Sequence, residues 1–190
     1  GGPGSGIQKT TDGGTTWKKA GKGLPSVDIG RIGLAISPAN PEMLYAMVEA
    51  AQGKGGFFRS TNRGASWSKQ SSYATSGNYY IEIIPHPTNP DEVFAMDTWM
   101  HKTTDGGKSF KMVNEKYKHV DNHSIWIDPD DTNYYLVGCD GGIYESFDAA
   151  KTWHFKANLP ITQFYKVALD NASPFYNVYG GTQDNASFAG

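Results

Sequence analysis

An all-β fold assembled from one repeated four-stranded unit is what this sequence predicts, on three observations. The first is a polar octapeptide closed by an aromatic residue and written four times: TTDGGTTW from Thr10, STNRGASW from Ser60, TTDGGKSF from Thr103 and SFDAAKTW from Ser146. Its third positions, Asp12, Asn62, Asp105 and Asp148, lie 50, 43 and 43 residues apart, the period of propeller blades. The second is another phrase on the same beat: ISPANPEMLYAM from Ile36, IPHPTNPDEVFAM from Ile84 and IDPDDTNYYLVG from Ile127. The third is composition within a repeat, where short aromatic and β-branched runs are divided by turn residues and no long helical period occurs. The fold class is therefore an all-β β-propeller segment of about four four-stranded blades.

In chain order, the first repeat covers roughly residues 1–30 and opens at GGPGSGIQKT, a loop leading into a third strand. The second, 31–78, reads in full: RIGLAIS is a first strand, SPANPE a turn, MLYAMVE a second strand, GFFRST a third and SWSKQS a fourth. The third spans 79–120 and the fourth 121–163. A partial blade over 164–190 closes at YGGTQDNASFAG, the loop that matches the opening. An open arc of four blades exposes two sheet faces, so the remaining blades of a larger parent chain are expected as partners.

The octapeptide reads as the hairpin between third and fourth strands. A short Asp or Asn side chain accepts backbone N–H groups ahead of it, and glycine supplies the positive φ of the turn. The closing Trp17, Trp67, Phe110 or Trp153 is expected to fold into the core between neighbouring blades, contributing on the order of 2 to 3 kcal/mol. One sheet cannot bury both its faces, whereas radial stacking can, and the hairpin recurs for that reason.

Bulk properties exclude several classes. The chain has 190 residues, 17 basic against 19 acidic side chains and no basic block, which argues against nucleic acid. Apolar runs such as IGLAI and IEII are too short to span a bilayer. The one cysteine, Cys139, leaves no internal disulfide and no cysteine cluster, and no cofactor is called for.

The four hairpins resemble the Asp-box, or BNR, repeat, Ser/Thr-x-Asp-x-Gly-x-Thr/Ser-Trp. The first box matches through Thr10, Asp12, Gly14, Thr16 and Trp17; the others depart at Asn62, Phe110 and Ala150. Longer phrases, GGPGSGIQKTTDGGTTW, KHVDNHSIWIDPDD, GCDGGIYESFD and NLPITQFYKVALDNASPFYNVYGGTQDN, are similar to large exported bacterial proteins labelled glycosyl hydrolase or sortilin-like. The resemblance implies a secreted or periplasmic propeller. The box fixes fold and leaves function open, since Asp-box propellers include sialidases, xyloglucan-cleaving glycoside hydrolases, sortilin receptors and photosystem assembly factors. A sialidase is disfavoured: its family clamps substrate with three arginines, while Arg31, Arg59 and Arg63 are all that this chain has, two of them on a box hairpin.

Function is expected on the face opposite the boxes, where the loops between second and third strands and those leading into first strands gather. Polar and aromatic residues are dense there: Asp97, Trp99, His119, Asp121, His123, Asp140, Tyr165, Gln183, Asp184 and Asn185. Carboxylates among flat rings suit sugar recognition. Asp140, in CDGGIYES, resembles a loop aspartate that is catalytic in xyloglucan-cleaving propellers, whose second acid lies on another propeller; the plainer alternative is that Asp140 caps a Gly-Gly turn. Asp121 and Asp97 are its candidate helpers. If His119, Asp121 and His123 lie in extended chain, alternation points all three to one side, as a hydrogen-bonded network or as metal ligands, with no fourth ligand evident. The expected ligands for Trp99, His119, His123, Tyr165, Gln183, Asp184 and Asn185 are a glycan or a peptide. Two classes stay open: a glycoside hydrolase, or a non-catalytic sortilin-like binding or scaffold propeller.

Overall fold

A computed structural model of the chain describes residues 2–76, 79–159, 162–183 and 186–189. The first sheet has two strands, β1 (Gln8–Lys9) and β2 (Lys18–Lys19). Three four-stranded sheets follow: β3 (Ile29–Ile36), β4 (Leu44–Ala50), β5 (Gly56–Ser60) and β6 (Ser68–Ser71); then β7 (Ile83–Pro85), β8 (Val93–Ala95), β9 (His101–Thr103) and β10 (Lys111–Met112); then β11 (Asn122–Ile127), β12 (Tyr135–Cys139), β13 (Gly142–Ser146) and β14 (His154–Phe155). A last sheet has β15 (Phe164–Leu169), β16 (Val178–Thr182) and β17 (Ser187–Ala189). Within each sheet every strand pairs antiparallel with its neighbour in sequence, the meander of propeller blades. Helical structure among the described residues amounts to a single 3-10 turn, Ala51–Gly53. Among the described residues the complete four-stranded sheets thus number three, flanked by a sheet of two strands and one of three.

Period-2 alternation places the core. In β4, Ala46 and Val48 join Ile7, Phe58 and Trp67 in the seam with the first sheet, while Tyr45 and Met47 join Phe57, Ile83 and Val93 in the seam with the third. Phe94, Met96 and Met100 then meet Ile125, Tyr135 and Val137 in the next seam. Side chains are buried on both faces of a central strand, so its text is apolar throughout.

The four hairpins are built alike. The hydroxyls of Thr10, Ser60, Thr103 and Ser146 each accept the amide four residues on at 2.9 Å, and each donates to the Asp or Asn two residues on. That side chain accepts the amide of Thr16, Ser66, Ser109 or Thr152 at 2.8–3.0 Å. In three copies the second carboxylate oxygen also accepts the hydroxyl of Thr16, Ser109 or Thr152; Asn62 must donate instead, and Ser66 Oγ accepts from its Nδ2 at 2.8 Å. Two consecutive residues are left-handed in every copy, including Arg63, Ala149 and Ala150 at φ 54°, 57° and 69°. Each complete sheet ties its hairpin to its own first turn: Arg63, Gly106 and Ala149 amides donate to the carbonyls of Glu42, Asp91 and Asn133.

The closing aromatics divide. Trp67 and Trp153 are buried, and their indole N–H groups donate to Ala20 and Asn114 carbonyls in the preceding repeat at 3.0 and 2.7 Å. Phe110 stacks on Tyr73 with centroids 4.0 Å apart. Trp17 corrects the sequence expectation: it is 60% exposed and bonds the Gly14 carbonyl of its own hairpin, because among the described residues no sheet earlier in chain order covers it.

Candidate functional site

At the end of the sheets opposite the hairpins, the β12–β13 turn carries Asp140 between Cys139 and Gly141. Gly141 is required there: a Cβ in its place would fall 2.3 Å from the Cβ of His119. Asp140 Oδ1 lies 2.8 Å from Nε2 of His123, which projects from the start of β11. Either the imidazole donates to the carboxylate or it accepts from the acid; both states hold the groups together, which suits proton transfer. Asp140 also forms one wall of a cleft of about 610 Å³ between β11–β14 and the last sheet, with Phe155, Leu159 and Phe188 as apolar lining and Gln163 and Gln183 opposite. All six residues of β15 are exposed, so this boundary is open where the earlier seams are closed.

Tyr80 backs the pair. Its ring lies 5.5 Å from that of His123, and its hydroxyl donates to Asp121 Oδ1 at 2.7 Å. Burial, then the hydrogen bond and charge of Asp121, pushes the phenol up to about 12 and keeps it a donor at neutral pH. Burial likewise pushes the Cys139 thiol up, which favours the protonated thiol on the cleft wall.

The sequence expectation for His119, Asp121 and His123 is corrected. Asp121 is left-handed at φ 62° and precedes β11, so strict alternation breaks. His119 lies against Gly141, Asp121 meets Tyr80, and His123 meets Asp140. Among the described residues no three His, Cys, Asp or Glu side chains are gathered as metal ligands.

Asp97 lies apart from this pair in its bonding: its carboxylate accepts the Ser76 amide and hydroxyl and the Thr98 amide, which organises the loop before β7. Trp99 is 48% exposed on the β8–β9 loop. Tyr165 is exposed on β15. Gln183 receives a long 3.5 Å bond from Gln163 across the cleft rim. Asp184 and Asn185 lie outside the described residues.

Beneath the pair is a buried polar group that the sequence reading missed. Lys118 Nζ donates to Glu115 Oε1 at 2.7 Å, to the His119 carbonyl at 2.8 Å and to Asn122 Oδ1. Asn122 Nδ2 donates to Glu115 Oε1 and to the Asp97 and Thr98 carbonyls, and Glu115 Oε2 accepts the Met100 amide. Lys118 and Glu115 side chains are 0% and 1% exposed.

No known protein family's model matches the chain. A search of curated proteins finds xyloglucanase Xgh74A of Acetivibrio thermocellus, 26% identical over a 179-residue alignment that covers 78% of this chain. The chain spans about a fifth of that relative's length, 21%. Among solved structures, an ancestral GH74 enzyme aligns with 97% of the chain and 28% of its own at TM-score 0.58 and 17% identity. The GH74 enzyme of Niastella koreensis aligns with 80% and 26% at 0.53 and 18% identity, and YCF48 of Cyanidioschyzon merolae with 85% and 53% at 0.53 and 15%. These likenesses establish a propeller fold, shared by proteins with different titles.

Proposed function

We propose that the chain is an exported Asp-box propeller module whose loop face binds a glycan, with Asp140 as a working carboxylate of a glycoside hydrolase. The observation that carries this is Asp140 itself: a carboxylate on the wall of an open cleft lined by aromatic and amide side chains, hydrogen-bonded to His123. Aromatic faces support sugar rings, amides bond hydroxyls, and a carboxylate paired with an imidazole exchanges protons. The 26% identity to a xyloglucanase makes a substituted β-glucan the first substrate to try. Hydrolysis needs two carboxyls flanking one bond, about 5 to 5.5 Å apart for retention or about 6.5 to 9.5 Å for inversion. Asp121 is the nearer helper through Tyr80, and further blades of a larger parent are the other source of a second acid.

A second reading, glycan recognition without cleavage, is favoured by the bonding of Asp97 and Asp121: each is already occupied by donors, Ser76 of the loop before β7 and the adjacent Thr98 amide for one and Tyr80 for the other. The deciding experiment measures release of reducing ends from xyloglucan and a panel of other glycans by the full protein, beside Asp140→Asn. Turnover lost in a folded variant supports the hydrolase. Binding without release by the wild type moves the assignment to recognition.

A further inference from the structure

Buried charge is distributed unevenly in this molecule. The two seams around β3–β6 are closed by apolar clusters, Val48, Phe58 and Trp67 on one side and Met47, Phe57 and Val93 on the other. The seam between β7–β10 and β11–β14 has an apolar cluster too, yet among the described residues it alone adds a fully buried ion pair, Glu115 with Lys118. A buried pair is commonly replaceable by apolar side chains with no loss of stability, because desolvation offsets its attraction. Two neighbouring seams do without one, so holding sheets together is not what sets this pair apart.

Its bonds run to the loops instead. Lys118 grips the His119 carbonyl; Asn122 grips the carbonyls of Asp97 and Thr98; Glu115 grips the Met100 amide. The ammonium also lies 5.6 Å from the ring of Trp153 and 5.8 Å from that of Tyr144, so the group is anchored in the rigid seam. Segments 97–100 and 118–122 are thereby clamped to each other, and backbone bonds from Asp121 to Thr98 and from Asn122 to Asp97 complete the clamp. His123 follows directly, and the Asp140 amide donates to the Asp121 carbonyl.

We infer that Glu115, Lys118 and Asn122 are positioning residues that fix the His123–Asp140 pair through the two loops they join. The role presupposes that the loop face is the working site, and the test reads loop order separately from glycan cleavage. Hydrogen exchange in the full wild-type protein comes first. The amides of Met100, Asp121 and Asn122 should exchange as slowly as that of Val137 in β12; exchange at surface-loop rates overturns the inference whatever the variants do.

The second arm is Glu115→Gln with Lys118→Met, which removes both charges while Gln can still accept the Met100 amide. The expected result is a Tm close to wild type with exchange over 97–123 faster by roughly tenfold or more, the sheets unchanged, and a lower kcat on xyloglucan at similar KM. A folded double variant with wild-type loop protection and kcat overturns the inference. A wild type that cleaves nothing, combined with loosened loops in the variant, sinks the hydrolase reading and leaves the positioning role standing.

Discussion

His123 Nε2 and Asp140 Oδ1 meet at 2.8 Å, joining the first strand of a blade to the turn between its second and third on the wall of the open cleft. Because Asn at 140 keeps an oxygen for that bond, Asp140→Asn should fold normally and lower glycan turnover by about 10²- to 10⁴-fold, the range for loss of a proton-transfer group. Asp97→Asn should instead leave turnover within about tenfold and loosen the loop around Ser76, which it holds by two bonds. Steady-state rates of the two variants side by side check this; equal losses would remove the distinction between the acids.

The closing tryptophans should differ sharply in worth. Trp153→Phe forfeits the 2.7 Å bond to the Asn114 carbonyl in a buried seam, at about 1 to 2 kcal/mol. Trp17→Phe, at an exposed ring whose bond among the described residues stays within its own hairpin, should stay within about 0.5 kcal/mol. Denaturant melts of both variants measure the contrast.

Acid should weaken the hairpins that carry aspartate. Hydrogen bonds from Thr16 and Thr152 hold the Asp12 and Asp148 carboxyls down to about 2, and Ser109 holds Asp105 lower still. A pKa below its unfolded value gives stability that is complete above about pH 4 and vanishes as pH falls through about 2. The Asn62 hairpin lacks this dependence and serves as the internal control. Stability measured from pH 5 downward should fall less steeply in Asp148→Asn than in wild type, and parallel curves would refute the linkage.

One hairpin position separates conformational from steric demand. A Cβ on Gly107, at φ 96°, would fall 2.2 Å from Cδ1 of the buried Phe57 ring, so Gly107→Ala should cost about 2 to 4 kcal/mol. Alanine is native at the matching Ala150, which shares its buried cluster with the unbranched Met100. Ala150→Gly should lie within about 1 kcal/mol of neutral, as relief of a left-handed alanine offsets the lost methyl. Thermal melts of the pair decide it.

The architecture was legible because its determinants are local: the hydroxyl, the Asp or Asn and the following turn bond one another within five residues, so the hairpin is spelled out wherever it occurs. Asp140 was legible as a loop acid for the same reason. The trio at His119, Asp121 and His123 misled because one left-handed residue, Asp121, resets side-chain direction, and alternation assumes none. Lys118 and Glu115 gave no signal. In sequence they are charges in a polar loop, and only the closing of two blades over them makes them interior. Tyr80 falls between: loops leading into first strands were expected to carry function, but its pairing with Asp121 spans 41 residues.

The indole bonds of Trp67 and Trp153 both point backwards, to carbonyls in the repeat made before. Those two blades therefore find their latch in a strand layer that already exists when they leave the ribosome. Assembly can run vectorially during synthesis, locking one blade at a time without waiting for the next.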